Sequence, residues 1–86
     1  MKITSIPLIL KYMRIQQGYT QENIAEILNS SKGQVTRYES ENSKYYQEIP
    51  VRHIITLAKL YNVSADFLLG LTDIPDPYPR SENVND

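Results

Sequence analysis

The chain has 86 residues, of which 41% are hydrophobic, and this length predicts a single domain with one compact core. It contains no cysteine, which excludes a disulfide scaffold and a thiolate metal site and is typical of a reducing compartment. The formal net charge is −1, yet basic side chains outnumber acidic ones up to residue 47 and the reverse holds afterwards. This asymmetry indicates either one face for an anionic partner or ordinary solvated charges.

The first predicted helix begins after Ser5, whose hydroxyl can cap the first turn, and ends at Gly18. Pro7 is tolerated because the amides of a first turn have no partner inside the helix. Three apolar residues recur at the spacing of one helix face, namely Ile6, Leu10 and Met13. A second apolar set exceeds what one buried face requires and is expected to cover a partner or the tail: Leu8, Ile9, Tyr12 and Ile15.

Two short helices follow, joined only by the letters "NSS". Thr20 can cap the first of them, with Asn23 completing a weak capping box. Its buried side is predicted to comprise Ile24, Ala25 and Leu28. Asn29 tolerates the left-handed conformation of a sharp turn, and Ser31 can cap the next helix, which runs from position 32 to about 39. Two helices joined this tightly must cross at a large angle, which predicts helix-turn-helix geometry.

The second half of the chain repeats this pattern after a loop over residues 40–48. Pro50 is predicted to lie in the first turn of a fourth helix. The apolar stripe of that helix is predicted to be Val51, Ile54, Leu57, Ala58 and Tyr61. Asn62 can end the fourth helix, Ser64 can cap a short fifth one, and Gly70 can end it.

The last residues contain three prolines and little that a core could bury. We therefore predict a folded domain over residues 1–72 and a proline-containing irregular tail over residues 73–86, with its last few residues disordered.

Two runs of the sequence resemble the helix-turn-helix domain of lambdoid phage repressors and Cro proteins, the XRE family. They are "RIQQGYTQENIAEILNSSKGQVTRYE" and "IPVRHIITLAKLYNVSADFLLG", and the resemblance spans roughly residues 5–72. It implies an all-α fold, a compact five-helix bundle of the lambda-repressor-like DNA-binding type, in which the third helix lies in the major groove. The turn position that is usually glycine in the family is Asn29 in this chain.

The third predicted helix, residues 31–39, has two different sides when it is drawn at about 100° per residue. One side can dock on the domain and collects Ser31, Val35 and Tyr38. The other side offers hydrogen-bond donors to the acceptors of a major groove, and its glycine leaves space beside them. This side comprises Lys32, Gly33, Thr36 and Arg37. Glycine costs about 1 kcal/mol relative to alanine in a helix interior, and a close backbone approach to DNA is one reason for it. A polar face that is merely solvated is the alternative.

The resemblance assigns further roles. It implies that Gln21 contacts a phosphate and supports the recognition helix, and that Arg14 and Glu39 form an ion pair between the first helix and the end of the third. The loop after the third helix is longer than is usual in the family and either adds backbone contacts or is a tolerated insertion. The complete predicted DNA-contacting set is Gln21, Lys32, Gly33, Gln34, Thr36, Arg37, Lys44 and Tyr45.

From these observations we expect a sequence-specific DNA-binding transcriptional regulator, a repressor that binds a palindromic operator. Its partner is double-stranded DNA, on which it forms a homodimer through the first and fifth helices. The alternative is an antitoxin-like module that binds a toxin and DNA, which the second apolar set of the first helix and the proline-rich tail favour. A loader or adaptor without DNA contact is a third hypothesis.

No enzyme is expected, because no set of nucleophile, base and orienting group can be assembled and no glycine-rich phosphate loop is present. His53 is the only histidine and has no cysteine or spaced carboxylate beside it, so no metal site is expected. We predict no cofactor and no small-molecule ligand. Neither a signal peptide nor a transmembrane run is legible, which predicts a cytoplasmic, nucleoid-associated protein without a membrane partner.

Overall fold

A computed structural model describes residues 5–77, and this part of the chain contains five α-helices and no strand. The helices are α1 (Ile6–Gln16), α2 (Gln21–Ile27), α3 (Lys32–Tyr38), α4 (Val51–Tyr61) and α5 (Ala65–Leu68). The contact between α2 and α3 is the most extensive, and α5 packs on both α1 and α4. The predicted all-α, five-helix architecture is confirmed. The tail residues expected to be disordered lie outside the described part.

Four helices begin with a side-chain cap. The hydroxyls of Ser5, Thr20, Ser31 and Ser64 each accept a hydrogen bond from the backbone amide three residues later. In α2 the box is reciprocal, because Asn23 Oδ1 also accepts from the Thr20 amide at 2.9 Å. The start of α4 differs from the prediction: Pro50 precedes the first turn instead of lying in it, and it provides no side-chain cap.

Four helices also end by one backbone motif, in which a residue with positive φ reverses the last turn. These residues are Gly18 (82°), Asn29 (54°), Asn62 (57°) and Gly70 (78°). After Asn29 the amide of Ser30 donates back to the Ala25 carbonyl at 2.8 Å, which satisfies an acceptor at the end of α2. The chain therefore leaves α2 and enters α3 within a few residues, which confirms the predicted helix-turn-helix.

Every helix contributes to one hydrophobic core, which comprises Ile9, Leu10, Met13, Ile24, Ala25, Leu28, Val35, Tyr38, Ile49, Ile54, Leu57, Tyr61, Val63 and Leu68. The assignment of Ile9 to the second apolar set of α1 was wrong, since its side chain is only 1% exposed. It follows Ile6 by three residues and precedes Met13 by four, which places it on the core face. Leu8, Tyr12 and Ile15 form an exposed strip on the opposite face of α1.

The predicted apolar stripe of α4 was wrong at Val51, which is 72% exposed. Ile49, which precedes the helix, fills the core at this end, so the first helical residue faces solvent. His53 is buried instead, with its ring centroid 6.0 Å from that of Tyr38. Ile54, Leu57 and Tyr61 are buried as predicted.

Residues 71–77 contain no helix, but they are not detached from the domain. The Pro75 carbonyl accepts a hydrogen bond from the Ser64 amide at 3.0 Å, at the start of α5. The Thr72 hydroxyl accepts from the Ile74 amide at 3.1 Å. Among residues 5–77 no helix combines the length and apolarity needed to cross a bilayer.

Candidate nucleic-acid interface

The helix α3 has one buried and one exposed face. Val35 and Tyr38 dock it on the domain, and both are buried. The outer face is exposed and polar, and it comprises Lys32, Gly33, Thr36 and Arg37. Gln34 lies on the flank between the two faces and is half-buried. The division predicted from the helical period is present for the residues of α3 itself. The assignment of Ser31 to the docking side was wrong, because this residue precedes the helix as its N-cap and is exposed.

An ion pair between Arg14 and Glu39 fixes the end of α3 against α1. Arg14 in the last turn of α1 donates from Nε to Glu39 Oε2 at 2.8 Å and from Nη2 to Oε1 at 3.1 Å. Its Nη1 donates to the Tyr19 carbonyl at 3.0 Å. The two side chains are 12% and 5% exposed. The structure thus brings Arg14 and Glu39 together as a paired, two-pronged contact that is shielded from water.

Gln21 at the start of α2 connects this ion pair to the middle of α3. Its Nε2 donates to Glu39 Oε1 at 3.1 Å, and its Oε1 accepts from the Thr36 hydroxyl at 3.0 Å. The orientation of the amide follows from this arrangement, because an ionised carboxylate only accepts hydrogen bonds. An amide nitrogen carries two hydrogens, so the contact with Glu39 leaves one N–H of Gln21 unused.

The Thr36 hydroxyl is engaged within the chain. Besides the Gln21 oxygen, it lies 2.9 Å from the carbonyl oxygen of Lys32, one helical turn earlier. Its single hydrogen therefore has two acceptors already. The hydroxyl oxygen can therefore still accept a hydrogen bond from a ligand, but it has no second hydrogen to donate.

The Arg37 guanidinium projects from the exposed face, and no residue in the range 5–77 forms a hydrogen bond or ion pair with it. Arginine can donate two parallel hydrogen bonds in a fixed geometry, so an unengaged guanidinium is suited to a planar pair of acceptors. At the neighbouring Gly33, an added Cβ would meet only Ser31 Oγ, at 3.9 Å. Packing within the described chain therefore gives no reason for a glycine at this position.

The loop after α3 is attached to the end of that helix. The Arg37 carbonyl accepts from the backbone amides of both Ser40 and Gln47, at 3.3 and 3.2 Å. Lys44 Nζ lies 5.6 Å from the centroid of the exposed Tyr45 ring, a cation–π distance. The structure therefore holds Lys44 and Tyr45 in a loop that begins and ends beside the C-terminus of α3.

A carboxylate that the sequence analysis did not single out lies at the other end of α3. Glu22 Oε2 is 3.4 Å from Lys32 Nζ, and the two side chains are 64% and 59% exposed. The Glu22 backbone amide and then Lys32 hold the pKa of the Glu22 carboxyl below its usual value. The pair joins two helix starts that are ten positions apart, and no motif in the sequence marks such a contact.

His53 belongs to the core rather than to this surface. Burial, and to a lesser degree the nearby Arg52 charge, lowers the pKa of its imidazole, so the neutral form is favoured. Within residues 5–77 no group of three or more histidine or acidic side chains is arranged to hold a metal ion.

Comparison with known proteins gives three findings. The family described as helix-turn-helix matches residues 10–68. An uncharacterized HTH-type transcriptional regulator of Bacillus subtilis (strain 168), YobD, is 36% identical over 77 residues, which are 90% of this chain and 65% of that protein. The HTH-type transcriptional regulator ImmR of the same organism is 37% identical over 65 residues, which are 76% of this chain and 48% of that protein.

The chain thus spans between about half and two thirds of the length of these relatives. The matched range begins within α1 and ends at the last residue of α5, so it includes α2, the turn and α3. The sequence match and the five-helix architecture agree, and the chain belongs to the XRE-type helix-turn-helix family.

Proposed function

We propose that this protein is a sequence-specific DNA-binding transcriptional regulator whose helix α3 lies in the major groove. The observation that carries this proposal is the exposed polar face of α3, backed by Gln21, Glu39 and Arg14. An α-helix fits the major groove, where each base pair presents its own pattern of donors and acceptors. The family and the names of both relatives support the proposal. Such a protein works in the cytoplasm, on the nucleoid.

The proposed contacts fall into two groups. Arg37 reads a guanine, and Gln34 and the Thr36 methyl group contact neighbouring base edges. Gln21 donates its remaining N–H to a phosphate, and Lys32 and the loop residues Lys44 and Tyr45 hold the backbone on either side. Phosphate contacts fix the position of α3 but carry no sequence information, so specificity rests on the first group.

The close approach at Gly33 can be tested by separating stability from affinity. Replacing Gly33 by alanine should raise the free energy of unfolding by up to about 1 kcal/mol, because alanine favours the helix. The added methyl group has room within the chain but should weaken DNA binding where the backbone nears a base pair. Urea unfolding and a DNA titration on the same variant measure both quantities. An alanine variant that binds DNA as tightly as the wild type would rule out the close approach.

One α3 helix spans too few base pairs to specify an operator, so we expect the protein to bind as a dimer. The seven residues of α3 extend about 10 Å at 1.5 Å per residue, which spans about three base pairs. Two copies related by a two-fold axis would place their α3 helices in major grooves about 34 Å apart. The proposed dimer contact is the exposed strip of Leu8, Tyr12 and Ile15 on α1, together with the exposed Leu69 and Leu71 after α5. Occupying a palindromic operator would then block transcription.

Selection of bound sequences from a random DNA pool tests this proposal. We expect an enriched motif with two-fold symmetry and two chains per DNA duplex. Ile15→Glu should abolish the two-chain complex, because it places a charge in the apolar strip. Val51→Glu is the matched control, since Val51 is also an exposed aliphatic residue but lies on α4, outside the strip. A motif without symmetry, or a complex of one chain per site, would contradict the dimer.

The exposed strip on α1 also favours a second candidate function. An apolar row at positions 8, 12 and 15 can dock on a partner protein, as in the antitoxin-like hypothesis. If Ile15→Glu leaves both DNA affinity and stoichiometry unchanged, the strip is available for such a partner and the dimer contact lies elsewhere.

A further inference from the structure

The start of α3 carries an ion pair that faces outward. Lys32 is the first residue of α3, and its Nζ lies 3.4 Å from a carboxylate oxygen of Glu22 on α2. Both side chains are more than half exposed, and Lys32 belongs to the exposed polar face of α3 that also carries Arg37. Such a pair contributes little to stability. The position of the pair, at the start of the helix proposed to enter the major groove, indicates a role in DNA binding instead.

We propose that Glu22 is a built-in competitor of DNA phosphate, which holds Lys32 in the unbound protein and sets the strength and salt sensitivity of DNA binding. The inference rests on the proposed function, because it assumes that this surface meets DNA. It assigns a role to an acidic residue at the rim of a surface that otherwise offers donors.

Two effects follow from this placement. Lys32 must leave Glu22 before it can approach a phosphate. The loss of the ion pair with Glu22 therefore offsets part of the free energy gained from the phosphate contact. In addition, Glu22 directly follows Gln21, the proposed phosphate donor, so a phosphate at Gln21 meets a neighbouring negative charge. The pKa of Glu22 lies below its usual value, so the carboxyl is ionised at neutral pH. Both effects weaken binding to any DNA sequence.

The other carboxylates nearby are not placed for this role. Glu39 is buried and already accepts hydrogen bonds from Arg14 and Gln21, so it does not compete with phosphate for Lys32. Glu26 is exposed on α2, one turn after Glu22, but it forms no ion pair with a described residue. Glu22 alone among the three carboxylates holds a predicted DNA-contacting cation, and Glu26 provides a matched control.

The experiment compares DNA binding of Glu22→Gln and Glu26→Gln, which remove the same charge from the same helix. A duplex of random sequence and the selected operator are the probes. At low salt, Glu22→Gln should bind both duplexes about threefold to tenfold more tightly than wild type, the range expected for one exposed charge. Glu26→Gln should show a clearly smaller gain. The gain of Glu22→Gln should shrink as salt rises, because exposed charges are then screened.

A double-mutant cycle isolates the role of Lys32. Lys32→Ala alone should reduce the slope of log affinity against log salt by about one, as the loss of a phosphate contact does. In the Lys32→Ala background, the gain from Glu22→Gln should fall to the part that comes from repulsion. Thermal unfolding of each variant checks the fold. We expect no change in it, because only exposed side chains are altered.

Several outcomes would overturn the inference. Equal gains for Glu22→Gln and Glu26→Gln would show a general charge effect. Weaker DNA binding of Glu22→Gln would show that Glu22 itself contacts DNA. If Glu22→Gln raises the affinity equally in the Lys32→Ala background, Glu22 does not compete with phosphate for Lys32. In each of these cases the wild type still binds DNA, so the proposed function survives. If neither the wild type nor any variant binds either duplex, the proposed function and this inference both fail.

Discussion

Replacing Arg14 by alanine should lower the free energy of unfolding by about 3 kcal/mol, the usual cost of leaving a buried charge without its partner. Among the side chains of residues 5–77, Gln21 alone would still donate to the Glu39 carboxylate, whose side chain is 5% exposed. The Tyr19 carbonyl would also lose the hydrogen bond that it accepts from Arg14. Arg37→Ala is the matched control: this exposed arginine has no partner among the described residues, so its loss should change stability by less than about 0.5 kcal/mol.

Urea unfolding of Arg14→Ala, Glu39→Ala and the double variant measures the coupling between the two side chains. We expect a coupling of more than about 1 kcal/mol, above the range typical of exposed pairs, because both groups are shielded from water. The double variant should therefore lose less than the sum of the two single losses. Additive losses would show that the contact between Arg14 and Glu39 contributes nothing to stability.

Much of the fold could be predicted from the sequence because its signals are local. A serine or threonine before each of four helices caps the first turn through an amide three residues away. Asn29 and Asn62 tolerate a positive φ and so end α2 and α4. These choices depend on a few consecutive residues, and so their positions can be read without any tertiary contact.

Other features depend on which elements meet in three dimensions. The helical period alone cannot show that Ile49, from outside α4, fills the core in place of Val51. His53 is polar by type, but it is buried, with its ring beside that of Tyr38. The wrong assignment of Ile9 has a similar origin, because α1 is apolar on two faces and the sequence does not show where the core face ends.

The candidate site divides in the same way. The exposed face of α3 follows from its helical period, so the outward positions of Lys32 and Arg37 could be predicted. The resemblance implied that Gln21 supports the recognition helix, but not its two hydrogen-bond partners. The pair between Glu22 and Lys32 could not be predicted, because it joins residues on different helices and no motif marks it. The structure therefore adds the connections between side chains to a surface that the sequence already indicated.

The second large effect concerns DNA recognition. Arg37→Ala should weaken binding to the preferred operator by about 1 to 3 kcal/mol and relax the preference at one base pair in each half-site. The reason is that the guanidinium is exposed, unpaired within the described chain and able to donate two hydrogen bonds to one guanine. Gln21→Ala should instead weaken binding to all sequences by similar factors, because a phosphate is the same everywhere.

Arg37→Lys is the control for charge. It keeps the positive charge but loses the planar fork, so it should retain much of the binding to random DNA while losing the base preference. Titrations of each variant against the selected operator and its single-base variants, at several salt concentrations, provide the comparison. If Arg37→Ala leaves the base preferences of the wild type untouched, another residue reads the sequence.

The central claim, that α3 reads base edges in the major groove, is tested most directly by methylation protection of the selected operator with dimethyl sulfate. This reagent methylates guanine N7, which lies in the major groove, and adenine N3, which lies in the minor groove. The account predicts protection of guanine N7 at two positions about one helical turn apart, with adenine N3 unaffected there and the protection lost in Arg37→Ala. Protection confined to adenine N3, or guanine protection that persists in Arg37→Ala, would contradict it.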